Sequence, residues 1–123
     1  MSSRGPRVYS TRAIVLGQRE FVEAAKVITI LTPDAGKQDS VAKGILKPKS
    51  RLAGHLEPGT YCDLELAVAR NLDIIREAQT ISRFRASQQN LMRLTTLVYV
   101  LELVDKYTVD GTGSDLFEPL LMT

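Results

Sequence analysis

Val27-Ile28-Thr29-Ile30-Leu31 is followed by Thr32 and then by Pro33-Asp34-Ala35-Gly36. The run is rich in β-branched residues, which suit a pleated surface. It lacks the alternation of a strand with one wet side, so both of its faces are expected to be covered. A barrel strand lying beneath a further element has those surroundings. The strand is read over residues 24–32. Pro33 to Gly36 is turn chemistry, with proline setting one dihedral and glycine free to take positive φ. Residues 38–43 then read as the returning arm of a hairpin. Upstream, Val8-Tyr9-Ser10-Thr11-Arg12-Ala13-Ile14-Val15-Leu16 reads as another strand, stopped by Gly17 and the polar Gln18-Arg19-Glu20.

Downstream, residues 44–58 differ in kind. They contain Lys47-Pro48-Lys49-Ser50-Arg51 and little that suits a regular strand, with a short helical turn expected over residues 52–56 before Pro58-Gly59. Alternation then returns. Cys62, Leu64, Leu66 and Val68 fall on one face, and Tyr61, Asp63, Glu65 and Ala67 on the other, which is expected to be wet. Asn71 marks a turn into a fifth strand, read over residues 72–84. The period changes after Ala86. Leu91, Leu94, Val98 and Leu101 recur at helical spacing, widened by Leu97 and Val104. The spacing predicts a helix over residues 87–109, with Ser87 as N-cap and Asp110-Gly111 with Gly113 as its stop. A second helix is expected near Ser114, with Leu116, Phe117, Leu120 and Leu121 apolar.

Five strands followed by helix, with a long connection between the third and fourth strands, suit a small closed barrel. The OB-fold is the five-stranded barrel of this size. Strand order alone leaves an SH3-like barrel open. The fold class is thus mainly β with α, in two parts: a barrel over residues 1–85 and the beginning of an α-helical domain over residues 86–123. The 123 residues allow one compact domain with a short appendage. No apolar run approaches the roughly 20 residues that span a bilayer. Residues 1–7 lack a signal peptide's apolar core, so a soluble, cytoplasmic chain is expected. One cysteine makes no internal disulfide, and with a single histidine it completes no tetrahedral metal site. Neither cofactor nor metal is expected.

Enzyme chemistry finds little to stand on. Gly54 and Gly59 have P-loop spacing, but Thr60-Tyr61 follows where a lysine and a hydroxyl residue are required. His55 has Glu57 near it and no assembled nucleophile. Cys62 falls on an apolar strand face and reads as a small core residue. Charge is more informative. Residues 1–85 hold 14 Lys+Arg against 9 Asp+Glu, whereas residues 86–123 hold 2 against 5. Lys37, Lys43, Lys47, Lys49 and Arg51 fall within fifteen residues, opposed only by Asp39. Their mutual repulsion would be relieved by a polyanion, with release of its counterions. A solvated surface loop is the other reading of the same charges. Single-strand binders add aromatic platforms to such a groove. Tyr61, on the polar face of its strand, is the stacking candidate, with ordinary sheet packing as its alternative; Phe21 lies in the first connection.

The run Ala42-Lys43-Gly44-Ile45-Leu46-Lys47-Pro48-Lys49-Ser50-Arg51-Leu52-Ala53-Gly54-His55-Leu56-Glu57-Pro58 resembles the bacterial recombination mediator family RecO. The likeness extends to Arg12-Ala13-Ile14-Val15-Leu16, Glu23, Leu31-Thr32 and Gly36, and downstream to residues 72–81, Tyr99-Val100-Leu101-Glu102-Leu103 and Leu116-Phe117. It implies an N-terminal OB-fold and no catalytic turnover. It further implies binding of single- and double-stranded DNA, annealing of complementary strands, and, with RecR, help to RecA in displacing the single-stranded DNA-binding protein. A cytoplasmic, nucleoid-associated location follows from the same likeness. DNA contacts would map to Lys43, Lys47, Lys49 and Arg51. Leu46 departs from the pattern, where a basic residue is common. Family members are about twice as long. The region that docks the tail of the single-stranded DNA-binding protein is therefore expected to be missing here.

Two functions from different classes stand side by side: a DNA-binding and annealing module, and a barrel that recruits repair partners with its charge incidental. Leu94, Val98 and Leu101 are expected to be buried against the barrel or a second copy, because a wet leucine stripe invites association.

Overall fold

The computed structural model describes residues 7–83 and 91–122. Five strands form a closed barrel: β1 (Val8–Glu20), β2 (Lys26–Thr32), β3 (Gly36–Ala42), β4 (Thr60–Ala67) and β5 (Asp73–Arg83), in the order β1-β2-β3-β5-β4. All pairings are antiparallel except β3 with β5, which run parallel through Ser40–Asp73 and Val41–Ile74. That parallel closure, reached by a long β3–β4 connection, decides for the OB topology over an SH3-like one. Helix α1 (Leu91–Tyr107) follows. After it come a 3₁₀ turn at Ser114–Leu116 and the short helix α2 (Phe117–Leu121).

Two apolar clusters explain the sequence patterns. Ala13, Val15, Ile28, Ile30, Cys62, Leu64, Leu66 and Ile75 fill the barrel, joined by Ile45, Leu52 and Leu56 from the β3–β4 connection. Ile14, Leu16, Leu31 and Tyr61 point outward and meet Leu101, Phe117 and Leu120. Ile28 and Ile30 face the barrel interior and Leu31 the second cluster, so odd and even positions of residues 27–31 are all buried, on opposite sides of one sheet.

Several boundaries differ from those the sequence suggests. β1 does not stop at Gly17 but runs on to Glu20 through a bulge, the register jumping from Val15–Ile30 to Gly17–Thr29. Gly17 passes close beneath α1, with Asp105 Oδ2 3.5 Å from where a Cβ would stand. β2 begins at Lys26 rather than residue 24, because Glu23 and Ala24 are in a turn with positive φ. β3 begins at Gly36, two residues early. Within residues 52–56 the helical turn is a single 3₁₀ turn, Ala53–His55. The outer face of β4 is wet only in part. Asp63 is exposed, but Tyr61 and Ala67 are buried, whereas Val68 lies past the strand and is exposed. Phe84 and Ser87 lie outside the described residues, as do the side chains of Leu91 and Leu94.

Val98 and Leu101 differ in how far the barrel covers them. Val98 is 45% exposed, whereas Leu101 is 3% exposed. Among the described side chains, the helix meets the barrel through Leu101 with Val100 and Val104 beside it. Its end is tied down by backbone bonds: Lys37 N–H donates to Thr112 O at 2.8 Å, and Gly111 N–H donates to Lys37 O at 2.8 Å. Gly36 makes this approach possible. It has φ +72°, and a Cβ there would fall 2.1 Å from Thr112 O. Only glycine fits.

Candidate nucleic-acid interface

The β3–β4 connection is built of tight turns pinned from inside. Gly44 has φ +69°, Lys47 N–H donates to Gly44 O at 3.0 Å, and Ser50 N–H donates to Lys47 O at 3.0 Å. Ser50 Oγ then accepts the amides of Leu52 and Ala53 at 3.1 and 3.3 Å, as an N-terminal cap would. With Ile45, Leu52 and Leu56 drawn into the barrel, the intervening polar residues have only solvent to face. Lys43, Lys47, Lys49 and Arg51 are all exposed, and among the described residues none of them makes an ion pair. Four exposed cations on one anchored connection, set against the single acid Glu57 within residues 43–59, form a positive surface.

Beside the connection runs a groove of about 610 Å³ lined by Arg51, Leu52, His55, Arg76, Glu77 and Gln79. Arg83 donates to Gly54 O, a second tie between β5 and the connection. Arg76 is a residue the sequence does not single out. The β4–β5 register passes from Glu65–Glu77 to Leu66–Ile75, skipping Arg76, so Arg76 and Glu77 are both exposed between buried Ile75 and half-buried Ala78. The one hint in the sequence is the failure of alternation at Ile75 and Glu77.

Two of the six candidate residues are drawn into the fold. Lys37 is nearly buried. Its Nζ lies 2.9 Å from Asp105 Oδ1 and 4.0 Å from Asp110 Oδ1, and it donates to Thr108 O at 3.1 Å and to Asp105 O. A cation on the last carbonyls of a helix satisfies acceptors that have no partner within the helix. Tyr61 is 9% exposed, its ring edge-on to Phe117 with centroids 6.0 Å apart. Its hydroxyl accepts from Arg12 Nη1 at 2.9 Å, and the Arg12 guanidinium lies 5.9 Å from the Phe117 ring centre. The ring packs under the helices and has no free face for a base. Alternation placed Tyr61 on the outer side of its strand correctly; it could not show that Phe117 covers that side.

The groups considered for catalysis are structural. Cys62 is fully buried, and burial pushes its thiol up to about 12. His55 Nδ1 accepts the Thr80 amide at 3.1 Å and lies 2.6 Å from the Thr80 hydroxyl, tying the connection to β5. Tyr9 donates to Asp73 where β1, β3 and β5 converge. Burial, and then this bond, hold its phenol above the usual value. Among the described residues no group of three or more His, Cys, Asp or Glu could hold a metal ion. Nor is any helix long and apolar enough to cross a membrane.

A closed OB barrel, with a bare cationic connection on one side and helices packed on another, defines the class of protein. Within that class the chain belongs to the family described as "Recombination protein O N terminal", whose pattern matches residues 7–84. It is 38% identical over 117 residues to the DNA repair protein RecO of Heliobacterium modesticaldum, covering 95% of this chain and 42% of that protein. It is 43% identical over 100 residues to the DNA repair protein RecO of a Roseiflexus species, covering 81% and 35%. To that of Dehalococcoides mccartyi it is 33% identical over 119 residues, covering 96% and 47%. The chain therefore spans less than half the length of these relatives.

Proposed function

We propose that the chain binds single-stranded DNA through its β3–β4 connection and acts in DNA repair by bringing complementary strands together. The observation that carries this reading is the set of exposed, unpaired cations Lys43, Lys47, Lys49 and Arg51. Annealing needs two polyanions to approach, and a cationic connection offsets their repulsion without reading sequence, because phosphate contacts carry no base information. Double-stranded DNA presents the same phosphates. The names of the relatives support a repair role. Cooperation with RecR in loading RecA, and contact with the single-stranded DNA-binding protein, belong to the same reading.

Anisotropy of a labelled single strand, titrated at several salt concentrations, tests it. With four phosphates neutralised the log–log slope is expected near −3, at roughly −0.7 per phosphate. Lys47→Ala, Lys49→Ala and Arg51→Ala together should weaken binding to all sequences alike, flatten the slope to about −1 and slow annealing. The barrel should stay folded, as circular dichroism would show. Unchanged affinity and slope in a folded triple variant would make the connection a solvated surface. The competing reading, a barrel that recruits protein partners, draws on the exposed Val98, Tyr99 and Tyr107 of α1. It predicts partner binding insensitive to salt and to this triple substitution.

A further inference from the structure

The β1–β2 turn carries an aromatic ring that belongs to neither apolar cluster. Phe21 is 50% exposed and Val22 is 64% exposed. Ala25 N–H donates to Val22 O at 3.1 Å, and Phe21 N–H donates to Ala25 O at 3.2 Å. The two central residues, Glu23 and Ala24, have φ of 39° and 58°. A bond across four residues with positive φ at both centres is the signature of a type I′ turn, which normally takes Asn-Gly. Glutamate and alanine are strained there, so the surroundings must hold the turn in place. What holds it is the basic connection: Leu46 N–H donates to Ala24 O at 3.2 Å.

That bond sets the turn beside the cations. Leu46, itself 55% exposed, lies between Lys43 and Lys47 in the chain. Lys26, the first residue of β2, pairs with Ala42, the last of β3, so the turn and the connection leave the same end of the hairpin. Exposed Phe21, Val22 and Leu46 are thus set near one another at the cationic connection, with exposed Glu20 and Glu23 flanking the turn. Three apolar side chains fall far short of the roughly 1,200 Å² that a stable protein complex buries. An aromatic face next to phosphate-binding cations matches the chemistry of an unpaired base on its backbone.

We propose that Phe21 is the stacking platform for an unpaired base of the strand that Lys43 and Lys47 hold by its phosphates. This rests on the DNA-binding reading and adds the residue that recognises single-strandedness, since a base within a duplex has no free face to offer. The chain contains no tryptophan, so Phe21→Trp installs a sole reporter. Its emission should be quenched by oligothymidylate, with the midpoint given by anisotropy of the labelled strand. Phe21→Ala should weaken single-strand binding on the order of tenfold, the scale of one base–aromatic stack. It should leave the salt slope unchanged and bind a strand of abasic sites as the parent chain does. Circular dichroism on Phe21→Ala checks that the exposed position does not affect folding. Equal affinity of Phe21→Ala and the parent chain for oligothymidylate overturns the assignment while leaving the cationic interface standing. Emission from Phe21→Trp that ignores the strand but changes with protein concentration also overturns it, giving the turn to protein contact. If the parent chain binds no single strand at all, both readings fall together.

Discussion

Lys37 is a cation that the fold consumes. In the sequence it is the first of five basic residues in a row of fifteen positions, with nothing local to separate it from the other four. In the structure its ammonium is directed at Asp105 and at the carbonyls that end α1, a distance of nearly seventy residues along the chain. Charge counting reads the side chain but not its partners, and partners decide whether a cation is available to a ligand. The consequence is measurable. Lys37→Met keeps the apolar stem and removes the charge, leaving Asp105 and two helix-end acceptors without their donor. Hydrogen bonds to charged groups contribute about 1.5–3 kcal/mol, and the side chain is only 14% exposed, so a loss of about 2 kcal/mol in urea denaturation is expected. Strand affinity in the folded variant should change less than twofold. A variant as stable as the parent that binds DNA weakly would return Lys37 to the interface.

At the scale of elements, what could be read in advance depended on whether a pattern was local. The unbroken run at residues 27–31 and the alternation at residues 61–68 each announce a strand, and the first also announces cover on both sides. The end of β1 was not legible. Gly17 and three polar residues look like a stop, but a bulge carries the strand past them, and that bulge exists only against β2. Helix α1 was legible from its period, while which of its apolar residues the barrel covers was not, because Val98 and Leu101 are chemically alike. The three strands β1, β2 and β3 are also joined by a polar pin that no pattern reveals. Asp39 on β3 accepts from Thr29 Oγ1 on β2 at 2.7 Å and from Arg19 Nη2 on β1 at 3.0 Å. Burial pushes the Asp39 carboxyl up, but the bonds from Arg19 and Thr29 outweigh it and hold the group below its ordinary value. A carboxyl so depressed stabilises the fold fully above its unfolded pKa, about 3.9, and that contribution is lost as pH falls through the lower folded value. Arg19→Gln should therefore melt lower than the parent chain at pH 7, and the gap should narrow as the pH is taken from 5 towards 2. Melting curves that keep a constant separation over that range would assign the Arg19 effect to packing instead of charge.

Across the whole molecule, cations and acids are unevenly placed. The connection carries the free cations, while the sheet face of β4 and β5 sets Glu65 directly opposite Glu77 with Asp63 alongside. In the proposed binding mode, a strand held at the connection would be repelled by those carboxylates. The seam between Lys37 and the Gly111–Thr112 segment bears on a separate matter, the size of the cooperative unit. The match to the N-terminal family pattern ends at residue 84, and a fragment cut there keeps all five strands. It would nonetheless leave Ile14, Leu16, Leu31 and Tyr61 without the helices that cover them. Such a fragment is expected to aggregate or to unfold at much lower urea than the full chain; equal midpoints would show the barrel self-sufficient. In amide exchange the full chain should carry the mark of the same seam. The Lys37 and Gly111 amides, bonded to each other's segments across the junction, should exchange with the slow protons of the barrel strands and not with surface loops. The segment from α1 to α2 would then open and close with the barrel, as one foldon that crosses the end of the N-terminal family pattern.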